Sequence, residues 1–193
     1  VWARFATRPD HVRALQSHKM LEVANRSLAF LREGLTERSA QQVCRIVLSE
    51  SEAAAVAITD TVSVLGFAGI GEDHHSVGGP IITTATRDTL VHNETRILET
   101  QGEIGCPRGD CLLRAAIVVP LQMRGHAVGT LKFYYTTPRL LNETQIAMAE
   151  GLGHILSTQL ELSELERQTE LATRMELKAL QAQINPHFLF NTI

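Results

Sequence analysis

The sequence has no excess of positive charge: 18 Lys and Arg stand against 21 Asp and Glu, a formal net charge of −3. That removes the electrostatic case for nucleic acid as the main partner. Cysteine is scarce. Cys44, Cys106 and Cys111 are too few for a disulfide scaffold and suit a reducing compartment. No apolar stretch approaches the roughly 18–20 residues that a membrane helix needs, and no signal peptide is visible. Internal repeats and low-complexity tracts are lacking as well. What is there is an ordinary apolar content, 44% of 193 residues, enough for a core in one domain with extensions.

One bias stands at the front, where Arg4, Arg8, Arg13 and Lys19 face a single acid, Asp10. Just downstream of a membrane helix this would be a positive-inside flank; taken alone it reads as an ordinary solvated helix start. The spacing predicts a helix over 11–35. Its stripe of Ala14, Ser17, Leu21, Ala24, Leu28, Leu31 and Leu35 alternates threes and fours and suits another helix. Gly34 and Thr36 break and restart the chain. Ala40, Val43, Cys44 and Val47 then form the apolar face of a second helix ending near Glu50, which makes Cys44 a core residue.

Two β-type runs follow, "AAAVAIT" and "VSVLGFA", joined by a tight turn at Asp60-Thr61. From Gly69 to about Asp110 the chain is rich in Gly, Thr, His and acids, and reads as loops with one short helix near Arg87–Asn93. A second hairpin pairs Ala115–Leu121 with Val128–Tyr135 around Arg124-Gly125. Pro120 cannot donate to a ladder and marks a sheet edge or a bulge. Asn142 with Gln145 has the form of a capping box. No proline interrupts the chain between Pro138 and Pro186, so one long, densely charged helix is expected, with Glu170–Arg174 as a favourable pair. Its apolar positions Leu152, Ile155, Leu162, Leu165, Ala172, Met175 and Ala179 keep a three/four rhythm only with slips. A helix this long cannot bury itself on one small domain. It needs a partner, either the first helix or a second copy of the chain. The order predicts an α+β fold, an antiparallel sheet with helices gathered on one side.

The sequence closes on "QAQINPHFLFNTI". Pro186 suits the first turn of a new helical segment with Asn185 as its cap, and Asn191 falls one turn beyond His187 on the same face. An imidazole near neutral pH offers an unprotonated nitrogen to a phosphoryl group, and a carboxamide one turn away can orient water or a phosphate oxygen. A tail histidine beside an apolar anchor is the plain alternative. The full phrase, however, closely resembles the phosphoacceptor box of the LytS/YehU-type sensor histidine kinases. Upstream, "GIGEDHHSVGGPI" and "EIGCPRGDC" resemble segments of the GAF sensor domain that precedes the box in that family, and the element order is GAF-like.

The resemblance implies a chain in four parts: a linker helix over 1–35, a GAF-like sensor domain over 36–150, a signalling helix over 151–185, and the start of the phosphoacceptor region over 186–193. It implies that His187 is autophosphorylated, with Phe188–Phe190 packing into a dimeric helical bundle. ATP and Mg²⁺ would serve the parent kinase, and a response regulator of the LytTR type would take the phosphoryl group onto an aspartate. The parent is expected to be a homodimeric membrane sensor, touching the membrane only through a region before Val1, with this portion cytoplasmic. No Gly-rich or Asn-rich nucleotide-binding segment follows His187 here, so this stretch alone is expected to be unable to phosphorylate itself. Other kinase families carry an acid directly after the histidine; Phe188 stands there instead, so the group that activates His187 is not identified.

The remaining chemistry lies in the loops. Cys106 and Cys111, five apart, can reach one ion, and His74 and His75 could complete a soft or borderline metal site, although zinc sites more often space cysteines by two to four residues. A redox-switched thiol pair and plain loop thiols with surface histidines are the competing readings. Asp73 could shape a turn or line a small-ligand pocket between sheet and loops. "GIG" is no dinucleotide fingerprint, because His74 occupies the place of the third glycine. Two rivals from other classes stand beside the kinase: a free-standing GAF enzyme of the free-methionine sulfoxide reductase kind, and a non-catalytic dimerisation module.

Overall fold

The computed structural model describes residues 9–183. Helix α1 spans Pro9–Leu31 and α2 Glu37–Glu50; strands β1 (Ala55–Thr59) and β2 (Val64–Gly69) form the first hairpin. The loop region carries α3 (Thr84–His92), β3 (Arg96–Leu98) and α4 (Gln101–Ile104). Strands β4 (Ala115–Met123) and β5 (His126–Tyr135) form the second hairpin, and α5 runs from Glu143 to Gln183. All pairings are antiparallel, in the order β2-β1-β5-β4-β3. This is the expected α+β arrangement.

The strands are buried on both faces, so their sequences read as nearly continuous apolar runs. One face presents Val56, Ile58, Ile117, Val119, Leu131 and Phe133 to α2 and α5, with Val23 and Leu31 of α1 closing the cluster. The opposite face presents Ala55, Ala57, Phe67, Ala116, Val118 and Tyr134 to the loops, α4 and Leu113.

Helix α2 sits as predicted, and its start is fixed by a reciprocal cap between Thr36 and Ser39. It approaches β2 so closely that a Cβ on Gly66 would lie 2.7 Å from the Ala40 carbonyl carbon. Gln41 also reaches the outer edge of β2. Its side-chain NH₂ donates to the Phe67 carbonyl (2.7 Å) and its oxygen accepts from the Phe67 N–H (3.0 Å). The carboxamide thus stands where a further strand would pair.

Several expectations need correction. Helix α1 ends at Leu31, four residues early, because Gly34 adopts φ 82°. Its buried face is Val23, Ser27 and Leu31, while Leu21 is 63% exposed. Ala14 and Ser17 lie outside the residues whose side chains are described, as do Arg4, Arg8, Asp10 and Arg13. The stripe missed Ser27 because that residue is polar: its hydroxyl meets Gln159 Oε1 at 3.0 Å, and Gln159 donates to the Ala24 carbonyl at 2.6 Å. The cap at Asn142 is present, accepting from the Gln145 N–H at 3.0 Å, but Gln145 does not reach back. Its side chain is buried and donates to Glu52 instead. Pro120 satisfies both expectations in part: β3 flanks only Ala116–Val118 of β4, and a register shift follows at Leu121/Gln122.

Helix α5 packs on the sheet through Met148, Leu152, Leu156 and Leu160, and its last buried residue is Ser163. Ser157 ties it to the β4 irregularity by accepting the Gln122 N–H at 2.8 Å. From Leu165 onward every side chain described is exposed, including Leu165, Leu171, Leu177, Leu180 and Met175 at 70%. This free portion reaches about 30 Å beyond the domain at 1.5 Å per residue. The first helix therefore covers only the early part of α5. Among the described residues no helix is long and apolar enough to cross a membrane.

Candidate functional site

The loop face of the sheet holds the site. At the end of β2, Gly69 (φ 109°) and Gly71 (φ 95°) take backbone conformations that L side chains avoid, and they turn the chain back over the strand. The N–H groups of His74 and His75 both donate to the Gly71 carbonyl, at 3.0 and 2.9 Å. The His75 ring then stacks on Phe67, with centroids 4.9 Å apart and planes 12° from parallel, and His74 lies beside it at 4.5 Å.

Cysteines arrive from the other side. Helix α4 is capped by a reciprocal Thr100–Glu103 box and ends at Gly105 with φ 69°, which swings Cys106 over the sheet. A turn in which the Cys111 N–H donates to the Arg108 carbonyl (3.2 Å) returns the chain, and Cys111 is buried. One potential ligand atom from each of His74, His75, Cys106 and Cys111 lies within 4.8 Å of all the others. Four of the five loop residues singled out in the sequence thus converge. The fifth, Asp73, stands behind them: its carboxylate takes His74 Nδ1 at 2.7 Å and Arg108 at 2.6 Å, while Arg108 also grips Asp110 at 2.7 Å.

The electrostatics differ within the pair of thiols. Burial pushes the Cys106 thiol up. Burial acts on Cys111 too, but hydrogen bonding from the Leu113 backbone, His74 and Cys106 outweighs it and brings the thiol below its ordinary value. Cys111 and Asp73 favour protonated His74 and raise its pKa, whereas burial and then the charges of His74 and Lys132 lower that of His75. Cys111 Sγ lies 3.7 Å from His75 Nε2. His74 Nε2 is buried and makes no hydrogen bond of good geometry, although the sulfurs are close by.

Beside this cluster is a cavity of about 300 Å³ lined by Phe67, His74, His75, Ile104, Cys106, Lys132 and Tyr134 among others. Lys132 was missed by sequence reasoning. It lies between Ala57 and Val118 in the sheet and is only 6% exposed, so burial lowers its pKa to about 8. Among the described residues no carboxylate pairs with it. The readable signal was a lone lysine inside the apolar run "VGTLKFYY". Helix α4 was also readable, from Thr100 and Glu103 at capping-box spacing. Strand β3, three residues long, carried no periodicity to read.

His187, Pro186, Asn185 and Asn191 lie outside the described residues, as does the phrase that contains them. Comparison with known proteins reaches them by sequence. The family model described as histidine kinase matches residues 175–193. The sensor histidine kinase/phosphatase LytS of Staphylococcus aureus, strain N315 for example, is 43% identical over 184 residues. That alignment covers 95% of this chain and 32% of the relative, so the chain spans about a third of the length of the curated relatives it matches. Among solved structures, the GAF domain from an Acinetobacter phosphoenolpyruvate-protein phosphotransferase superposes with TM-score 0.57 at 14% identity, covering 75% of this chain and 94% of that one. Free methionine-R-sulfoxide reductase from Neisseria meningitidis, in complex with its substrate, gives 0.56 at 16% identity, covering 76% and 91%. At these identities the likeness shows the fold, which is GAF-like, and nothing of the chemistry.

Proposed function

The chain is homologous over nearly its whole length to a part of the LytS sensor histidine kinases, and from that premise we propose that it is the sensing and signal-transmitting portion of a longer kinase of this kind. In that protein His187 takes the phosphoryl group of ATP, with Mg²⁺, and passes it to a response-regulator aspartate of the LytTR type. The observation that carries this reading is continuity. A helix packed on the sensor sheet leaves the domain as one unbroken rod, and the family match begins at Met175 on that rod and extends through His187.

An input at the loop face can reach His187 only by biasing two arrangements of that rod. The apolar residues left exposed beyond Ser163 support pairing with the same helix of a second copy, which makes the homodimer the natural unit. Asn191, one helical turn past His187, would orient water or a phosphate oxygen, with Pro186 and Asn185 setting the local helix start. We place this portion in the cytoplasm of a membrane sensor, attached through sequence ahead of Val1.

The loop cavity, lined by His74, His75 and Cys106 with Cys111 beside them and Asp73 behind His74, is the sensing site in this reading. The fold likeness to methionine sulfoxide reductases does not favour an enzyme of that kind, because GAF domains of phosphotransferases superpose equally well. The test is autophosphorylation of the longer kinase with ATP and Mg²⁺. His187→Gln should abolish it, and Cys106→Ser with Cys111→Ser should alter its response to regulators while sparing phosphorylation. Identical responses of wild type and double variant to every regulating agent would remove the cysteines from sensing.

A further inference from the structure

We propose that His74, His75, Cys106 and Cys111 hold one thiophilic divalent cation in a closed tetrahedral site, with zinc the first candidate. This rests on the reading of the loop face as a sensing site and gives that site a resident ion. The first observation is distance. The four ligand atoms, drawn from two separate loops, lie within 4.8 Å of one another. Zinc bonds of about 2.3 Å to sulfur and about 2.0–2.1 Å to nitrogen put tetrahedral neighbours roughly 3.3–3.8 Å apart. Cys111 and His75 already meet that spacing at 3.7 Å. Closing the rest requires shifts of about 1 Å, the scale of the backbone and rotamer adjustments that commonly accompany binding.

The second observation is independent of the first. His74 Nδ1 is held by the Asp73 carboxylate at 2.7 Å, which leaves Nε2 buried and without a hydrogen bond of good geometry, the sulfurs being its near neighbours. A carboxylate behind an imidazole is the arrangement that orients a metal-ligating histidine and fixes which nitrogen is the ligand. Asp73 is itself anchored by Arg108. The stack on Phe67 fixes the plane of the other ring, His75.

Donor chemistry selects the ion. Two thiols and two imidazoles with no oxygen ligand exclude calcium and magnesium and suit a tetrahedral, borderline-soft ion. On binding, each thiol releases its proton to solvent as its sulfur becomes a ligand, and the two thiolates neutralise the double positive charge. No oxidation is involved. The bound ion would staple the loop after β2 to the loop after α4 across the mouth of the cavity, so occupancy would control access to it.

The experiment uses the whole 193-residue chain, reduced and stripped of metal without oxygen, then titrated with Co²⁺ and afterwards with Zn²⁺. The expected result is one cobalt per chain, thiolate-to-cobalt charge transfer, tetrahedral visible bands, and displacement of cobalt by zinc. Cys106→Ser with Cys111→Ser should lose the spectrum. Because burial of Cys111 could make that variant unstable, Asp73→Asn provides a second arm at an exposed carboxylate. It should keep its circular dichroism and bind cobalt about 10–100-fold more weakly. A reduced wild-type chain whose cobalt spectrum matches that of the double variant overturns the site. So does an Asp73→Asn chain with unchanged affinity. None of these readouts involves ATP or His187, so their failure leaves the kinase reading standing, and loss of that reading leaves the metal site standing.

Discussion

Replacing Lys132 by Met should stabilise the protein, and by an amount that depends on pH in a calculable way. The lysine sits on β5 between Ala57 and Val118, only 6% exposed, with no carboxylate beside it among the described residues. Burial alone lowers its pKa from 10.5 to about 8. A protonated lysine therefore opposes folding: below pH 8 both states carry the proton, and the folded state bears the desolvation cost in full. Between about 8 and 10.5 the unfolded chain still binds the proton while the folded chain does not, so stability rises with pH across that window. The gap corresponds to about 3 kcal/mol at neutral pH. Methionine keeps the apolar stem without the charge, so Lys132→Met should gain up to about 3 kcal/mol at pH 7 and no more than about 1 kcal/mol at pH 10. Urea unfolding of both chains at the two pH values measures the difference directly. A variant no more stable than wild type at pH 7, or an advantage that does not shrink by pH 10, would refute the reasoning.

Three further outcomes follow from the packing. Gly66→Ala would set a Cβ 2.7–2.8 Å from the backbone of Ala40 and Gln41, so α2 must shift and stability should fall by about 1–3 kcal/mol in thermal unfolding. Gln41→Ala leaves the buried Phe67 backbone without its edge partner and should cost about 1–3 kcal/mol; hydrogen exchange should quicken at the Phe67 amide first. Truncation after Ser163 removes the exposed rod while keeping every buried contact of α5, so the shortened chain should fold but sediment as a monomer at concentrations where the whole chain is a dimer.

Much of this architecture was legible because the apolar pattern and the caps agreed. In α2 a Thr cap, a three/four stripe and a closing Ser-Glu-Ser sequence all point to the same fourteen residues. The two hairpins were equally clear, since strands buried on both faces read as apolar runs whatever their orientation. Legibility failed where polar groups are buried. Ser27 and Gln159 join α1 to α5 through a hydrogen bond that hydrophobic periodicity cannot register, so the α1 stripe kept Leu31 but missed Ser27 and took in the exposed Leu21. Gln145 was assigned to its own helix start, although tertiary contact gives it a better partner in Glu52. At the site, residue type marked out His74, His75, Cys106 and Cys111, but their convergence depends on two left-handed glycine turns and the Gly105 cap that only the folded chain displays. Lys132 and the Phe67 stack belong to the sheet floor beneath those loops, and nothing local in the sequence ties them to it.

The destination of the phosphoryl group decides between a kinase portion and its rivals. The longer kinase, incubated with ATP and Mg²⁺ and digested under alkaline conditions that preserve phosphohistidine, should yield an acid-labile phosphate confined to the peptide that contains His187. The same peptide should lose that phosphate when the response regulator is added. Acid-stable phosphate, or label on any peptide other than that of His187, would contradict the account.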